Sequence, residues 1–173
     1  MSEAVYRNEQ HAIIRAMAVD SISTCKPAEW QQQHSSGYVE ELTKKHDSLQ
    51  PLTTMERLTQ DCMTRARIHR SVSRGAFYAV VAKYGADENE RADAVNSLVK
   101  IVDCEAPDDL KRLIIWSWCC IKIKRGLREQ VALLADVSRT TFYRKRRAII
   151  EQLQALEDSA IADSAVVLGG LVG

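Results

Sequence analysis

The spacing of apolar residues along this chain predicts α-helices almost from end to end. Apolar positions recur every three or four residues, whereas alternating β-branched segments bounded by turns are missing. Only seven glycines and three prolines interrupt the 173 residues. We therefore expect an all-α, multi-helix domain whose helices are joined by short connections.

The first fifty residues are expected to form an N-terminal helical arm with a polar linker. A helix is predicted from about residue 4 to residue 19. Residues 31–38, QQQHSSGY, are polar and rich in helix breakers, which is typical of a linker. The helix before the linker is expected to bury three apolar side chains, Ile13, Ile14 and Met17.

Residues 51–158 are expected to form one helical domain, and capping signals divide its first part into four helices. Thr53 or Thr54 can cap a helix to about Arg70, with Met55, Leu58 and Cys62 buried. Ser73 can cap a second helix that ends at Gly85. A third, Asp87 to Val102, carries an apolar stripe of Ala94, Val95, Leu98 and Val102. A fourth starts at Pro107, continues to about Lys124 and is apolar on most sides, so we expect it to be the central helix.

Two further helices are expected near the C-terminus, at residues 127–134 and from Ser138 to about Leu156. Ser138 is a favourable N-cap, and the connection at residues 135–137 is tight. Asp136 tolerates the left-handed backbone that such a turn can require. Residues 159–173 are expected to form a flexible tail.

Charge is distributed unevenly, although the formal net charge of the whole chain is only +1. Residues 122–147 contain nine basic and two acidic residues, a net charge of +7, so the rest of the chain is acidic. Residues 151–173 contain four acids and no base. Such asymmetry indicates a local anion-binding surface.

Helical geometry separates the helix after Ser138 into two faces. At about 100° per residue, its apolar residues Ile149, Leu153 and Leu156 all fall within roughly 40° of Phe142 and predict a buried seam. The opposite face carries Thr140, Tyr143, Arg144 and Arg147. These residue types hydrogen-bond to phosphates and base edges, and arginine can bind guanine through two hydrogen bonds.

At these residues the chain resembles the helix-turn-helix DNA-binding motif, in the form found in bacterial sigma factor region 4. The resemblance lies in Val131-Ala132, Ala135, Val137-Ser138 and Thr141-Phe142. The wider chain, about residues 53–156, resembles phage late-gene regulators of the antitermination class. The family prefers glycine where this chain has Asp136, and an apolar residue near Lys145 or Arg146. The second departure requires an arginine stem to lie along the core with its charge in solvent.

The resemblance implies a second helix, residues 139–156, that enters the major groove of double-stranded DNA. It gives DNA-binding roles to Ser138, Arg139, Thr140, Tyr143, Arg144, Lys145 and Arg147. Phosphate contacts are further expected from Lys124, Arg125 and Arg128. RNA polymerase and a second copy of the chain are possible partners under this hypothesis.

The remaining sequence features point to no enzyme, metal or cofactor. The five cysteines and four histidines show no ligand spacing, and no nucleophile–base pair or phosphate-binding glycine loop is found. No apolar segment is long enough to cross a membrane, so a reducing bacterial cytoplasm is the expected location. A second basic cluster, comprising Arg65, Arg67, His69, Arg70 and Arg74, is expected to be a solvated helix face, with a phosphate-contacting flank as the alternative.

These features favour a sequence-specific transcription regulator that reads DNA with residues 139–156. Two alternatives stay open. The first is a phage packaging or recombination accessory protein, which would need the same DNA-reading helix. The second is a helical interaction protein whose basic helix meets an acidic partner.

Overall fold

Six α-helices and no strand make up the residues described by the computed structural model, which are 6–19, 53–119 and 138–169. The all-α fold is thereby confirmed. In chain order the helices are α1 (Glu9–Met17), α2 (Thr54–Ser71), α3 (Arg74–Tyr84), α4 (Glu88–Ile101), α5 (Asp108–Trp118) and α6 (Arg139–Leu168).

From α2 to α5, the helices begin where the sequence predicts. Thr53 forms a capping box with Glu56, in which each side chain accepts a hydrogen bond from the other residue's backbone N–H. Ser73 caps α3 and Asp87 caps α4 through their side-chain oxygens, while Pro107 stands before α5. Each side-chain cap satisfies backbone N–H groups that have no partner inside the helix.

The interior helix of the described fold is α3, not the helix after Pro107. Ala76, Ala79, Val80, Val81 and Ala82 are all buried, so α3 has apolar residues on most of its circumference. It packs against α1, α2, α4 and α6. Small side chains let these neighbours approach closely. At its C-terminal end, a Cβ on Gly85 would lie 2.5 Å from the Val81 carbonyl oxygen, so glycine is required there.

The longest helix, α6, lies along this core. Thirty residues at a rise of 1.5 Å give it a length of about 45 Å. Its buried residues follow one stripe, which ends with three residues four apart, Ala160, Ser164 and Leu168. The stripe packs against α1, α2, α3 and α5. The predicted end near Leu156 is therefore wrong, and residues 159–168 are helical where a flexible tail was expected.

A group of polar side chains links α1, and Tyr6 just before it, to α2. The hydroxyl of Tyr6 donates to Asp61 Oδ1 at 2.8 Å and lies 3.0 Å from Thr64 Oγ1. Arg15 donates to the other Asp61 oxygen at 2.6 Å. Tyr6, Asp61 and Thr64 are all buried. Because every oxygen of this group has a partner, its burial carries no unpaired charge.

This network explains where the predicted helix faces are wrong. Met55 and Cys62 are exposed and Leu58 is half-buried, because α2 turns Asp61, Thr64 and Ile68 inward instead. On α1, which begins at Glu9 rather than near residue 4, Ile14 is 40% exposed. The expected burial of Ile13 and Met17 is confirmed. The linker predicted at residues 31–38 lies outside the described residues.

The buried end of α6 leads to a stability prediction. Leu168 is fully buried beside Tyr6 and Ala12, whereas Val166 is 85% exposed. We expect Leu168→Ala to lower the free energy of unfolding by about 2 kcal/mol, since it removes buried methyl groups and leaves a cavity. Val166→Ala should change it by less than about 0.5 kcal/mol. Chemical denaturation measures both, and equal small effects would show that this end of α6 is not packed in solution.

We expect the free energy of unfolding to fall at alkaline pH because of two tyrosines, the buried Tyr6 and the half-buried Tyr84. Burial raises the pKa of Tyr6 well above its ordinary value of 10.0, and Asp61 raises it further. Burial and a hydrogen bond to Glu157 also raise the pKa of Tyr84. The folded protein thus keeps protons that the unfolded chain releases near pH 10, so the contribution of these two tyrosines to stability should be constant below that pH and fall above it. Denaturation at pH 8 to about 11 tests this, and Tyr6→Phe should give a shallower fall than the wild type.

Candidate nucleic-acid interface

The candidate interface begins where Ser138 starts α6. The Ser138 hydroxyl accepts a hydrogen bond from the Thr141 backbone N–H at 3.3 Å and lies 2.9 Å from the Thr141 hydroxyl. The N-cap predicted from the sequence is thus confirmed. The cap satisfies a backbone N–H in the first turn and so fixes where α6 begins.

In the first three turns of α6, none of the described side chains is fully buried. Among the described side chains of this helix, the first fully buried one is that of Ile149, ten residues from the start. Ten residues correspond to about 15 Å of helix. Phe142 is half-buried against the core, and so are Ile150 and Leu156 further along. The predicted seam of Phe142, Ile149, Leu153 and Leu156 therefore faces the core, with full burial at Ile149 and Leu153.

The predicted DNA-reading face is open to solvent. Thr140, Tyr143, Arg144 and Arg147 are all exposed, and the Tyr143 ring stands edge-on to the Phe142 ring at a centroid distance of 5.5 Å. None of the described residues forms an ion pair with Arg144. A guanidinium without a carboxylate partner is available to an external anion.

Arg146 is a further exposed cation at this end of α6, which the sequence prediction left out of the interface. By helical geometry it lies only about 40° from Phe142, on the side that faces the core further along α6. Its side chain is nevertheless exposed. Its positive charge could have indicated a place in the interface. Because it lies on the side of the helix predicted to be apolar, however, the expected site does not include it.

Lys145, not an arginine, has the stem that lies against the protein body. Its side chain is half-buried, and its ammonium group donates to the backbone carbonyl of Glu105 in the α4–α5 connection. The structure thus corrects the expectation that an arginine would do so. Because one N–H of its ammonium group already donates to this carbonyl, the Lys145 side chain has a fixed direction, whereas the exposed side chains of Arg144 and Arg146 have no such contact among the described residues.

Arg147 already has an acidic neighbour within the helix. Its Nε donates to Glu151 Oε1 at 2.8 Å, an i,i+4 pair in which both side chains are largely exposed. This hydrogen bond, together with the Glu151 charge, raises the pKa of Arg147. Exposed pairs of this type contribute little to stability, so an external phosphate can compete with Glu151 for the guanidinium.

The order of charges along α6 concentrates positive potential at one end. All five basic residues of the helix precede all four acidic ones, and its first turn contains no acid. The helix dipole adds a partial positive charge at the same end. Acids would be more favourable there for helix stability, so this arrangement favours anion binding over stability.

Beyond its projecting end, α6 is fixed to the body by polar contacts. The Gln152 side-chain amide donates to the Asp103 carbonyl at 2.9 Å and accepts from the Asp103 N–H at 3.0 Å. Glu157 is buried and binds Lys83 Nζ at 2.6 Å and the Tyr84 hydroxyl at 2.5 Å. Burial lowers the pKa of Lys83, but the hydrogen bond and charge of Glu157 outweigh this and raise it. These contacts set the orientation of the basic end.

Part of the predicted interface lies outside the described residues. This applies to the helix expected at residues 127–134, to the connection at 135–137, and to Lys124, Arg125 and Arg128. Arg139 is the first residue of α6, in agreement with the sequence prediction of its position. Within the described ranges, no cluster of three acidic, histidine or cysteine side chains could hold a metal ion, and none of the helices has the length and hydropathy to cross a membrane.

Comparison with known proteins adds no relative. No protein-family model matches the chain, and neither curated proteins nor solved structures gave a match.

The charge order of α6 predicts an opposition between stability and anion binding. Thr140 occupies the second position of the helix and is exposed. We expect Thr140→Glu to raise the free energy of unfolding by about 0.5 kcal/mol relative to Thr140→Gln, because an acid there interacts favourably with the helix dipole. The same change should weaken binding to duplex DNA. Denaturation and binding measurements on both variants test this, and equal stabilities would show that the dipole is already compensated.

Proposed function

We propose that this protein is a sequence-specific DNA-binding regulator of transcription that reads the major groove with the first turns of α6. The observation that carries the proposal is the projecting basic end of this helix. Arg144, Arg146 and Arg147 are exposed there, and full burial begins only at Ile149. An exposed basic helix surface of this kind can bind the phosphates and base edges of a groove.

The dimensions and chemistry of the helix suit the major groove. That groove is about 12 Å wide and admits one α-helix. Residues in the first half of a recognition helix reach base edges, while later ones meet the backbone. Arg144, without an ion-pair partner among the described residues, is therefore assigned to the bases. Arg147, with Glu151 beside it, is assigned to a phosphate.

The likeness of residues 131–142 to sigma factor region 4 supports a role in transcription, of the phage late-gene or antitermination type. RNA polymerase would then be a second partner, and the acidic second half of α6 offers a surface of different charge for it. An accessory role in phage DNA packaging or recombination would use the same helix. Mapping of the bound sites in cells distinguishes these roles, since promoters or terminators support the first and packaging sites the second.

Substitution of the two arginines tests the DNA-reading role. On a site selected from a randomised duplex library, Arg144→Ala should weaken the binding free energy by about 1–3 kcal/mol. It should also narrow the difference in affinity between the selected and a scrambled duplex. Arg147→Ala should weaken binding to both duplexes equally. The slope of log affinity against log salt concentration should become shallower by about the amount that one phosphate contact contributes. Binding isotherms at two salt concentrations measure these effects.

Two control variants make the result interpretable. Glu151→Gln keeps the shape of the side chain but frees Arg147, so it should strengthen binding to both duplexes. Phe142→Ala should lower thermal stability and reduce binding only through this loss. If the folded Arg144 and Arg147 variants keep wild-type affinity, α6 is not the reading helix, and an acidic protein becomes the better candidate for a partner.

A further inference from the structure

The start of α6 repeats the start of α3. Residues 72–78 read VSRGAFY and residues 137–143 read VSRTTFY, so five of the seven positions are identical. The two copies are 65 residues apart. In each copy the serine is the N-cap and the arginine is the first residue of the helix.

The two copies also adopt the same local geometry. Ser73 has φ −62° and ψ 153°, and Ser138 has φ −60° and ψ 153°. Each hydroxyl accepts from the backbone N–H three residues later, at 3.2 Å and 3.3 Å. Phe77 and Phe142 are both half-buried against the same core. A helix, α2, ends at Ser71 directly before the first copy, so α2 and α3 form a helix–turn–helix with a two-residue connection.

The copies differ in the four residues after the shared start. Residues 79–82 are Ala-Val-Val-Ala and are buried, whereas residues 144–147 are Arg-Lys-Arg-Arg. The later turns of α3 therefore cannot enter a groove. Gly75 takes the place of Thr140, and a Cβ there would lie 3.3 Å from Leu156 Cδ2, because the start of α3 packs on α6.

The surface at the α2–α3 connection nevertheless remains strongly basic. Arg67, Arg70 and Arg74 are exposed, and none of the described residues forms an ion pair with any of them. Arg67 and Arg70 are neighbours at i,i+3 on α2, and Arg74 follows across the short connection. His69 holds this connection together, since its ring meets the Phe77 ring edge-on at a centroid distance of 4.6 Å.

The α2–α3 connection, which carries this cluster, lies against α6. Gly75, next to Arg74, packs on Leu156, which is ten residues along α6 from Arg146. Ten residues correspond to about 15 Å along the helix axis. The α2–α3 connection thus meets α6 about 15 Å along its axis from the exposed arginines.

We propose that Arg67, Arg70 and Arg74 form a second DNA-binding surface, which holds backbone phosphates that flank the groove occupied by α6. This inference rests on the proposed function. It assigns sequence-independent affinity to the α2–α3 connection and sequence reading to α6. An exposed guanidinium binds phosphate oxygens through charge-assisted hydrogen bonds and needs no base contact.

The experiment compares two triple variants of the full chain that have the same net charge. Arg67→Gln, Arg70→Gln and Arg74→Gln together remove the cluster. Arg7→Gln, Arg57→Gln and Arg112→Gln together remove three positive charges elsewhere. Both are titrated with a selected and a scrambled duplex at two salt concentrations, alongside the wild type and Arg144→Ala, with thermal unfolding as the check on folding.

We expect the cluster variant to bind both duplexes about tenfold more weakly and to reduce the salt slope by two to three phosphates, because each phosphate contact releases counterions. The ratio of the affinities for the selected and the scrambled duplex should stay unchanged. The control variant should bind both duplexes as the wild type does. Equal losses in both triple variants, or none in the cluster variant while Arg144→Ala weakens binding, would overturn this inference alone. A wild-type chain that binds neither duplex would overturn the proposed function as well.

Discussion

The buried carboxylate of Glu157 holds together the elements on which the candidate interface depends. It accepts hydrogen bonds from Lys83 and Tyr84 on α3, and Lys83 also lies 4.9 Å from the centre of the Trp118 ring on α5. A buried carboxylate without such partners would be strongly destabilising, so α6 can pack here in one register. That register determines which residues of α6 lie inside and how far its basic end extends.

Contacts on either side of Glu157 also hold α6 in place. Leu153 fills the core one turn earlier, and Gln152 pairs with the backbone of Asp103 beside it. Leu168 closes the far end against α1. A helix held over its last twenty residues can present its first ten to a ligand without losing its orientation. The acidic second half of α6 thus supplies the anchor, and in the proposed function the basic first half supplies the binding surface.

The sequence predicts the parts of this structure that local chemistry determines. Helix starts at Thr53, Ser73, Asp87 and Ser138 are confirmed, because a cap depends on residues within one turn. The buried face of α2 was predicted wrongly, because Asp61 is buried only through Tyr6 and Arg15, which are 55 and 46 residues away. The end of α6 was also missed, since Ala160 and Ser164 give a weak apolar signal and their burial depends on the approach of α1 and α2.

The repeated helix start shows how little sequence separates a core helix from a surface one. The serine cap and the phenylalanine are the same in both copies; the cap sets where each helix begins, and the phenylalanine packs its first turn on the core. The next four residues then decide the environment. Small apolar side chains place α3 inside, whereas four cations keep the first turns of α6 in solvent, because burial of unpaired charges would cost far more than exposure. Because α3 packs directly against α6, the helix that begins with the apolar copy also holds in place the helix that begins with the basic copy.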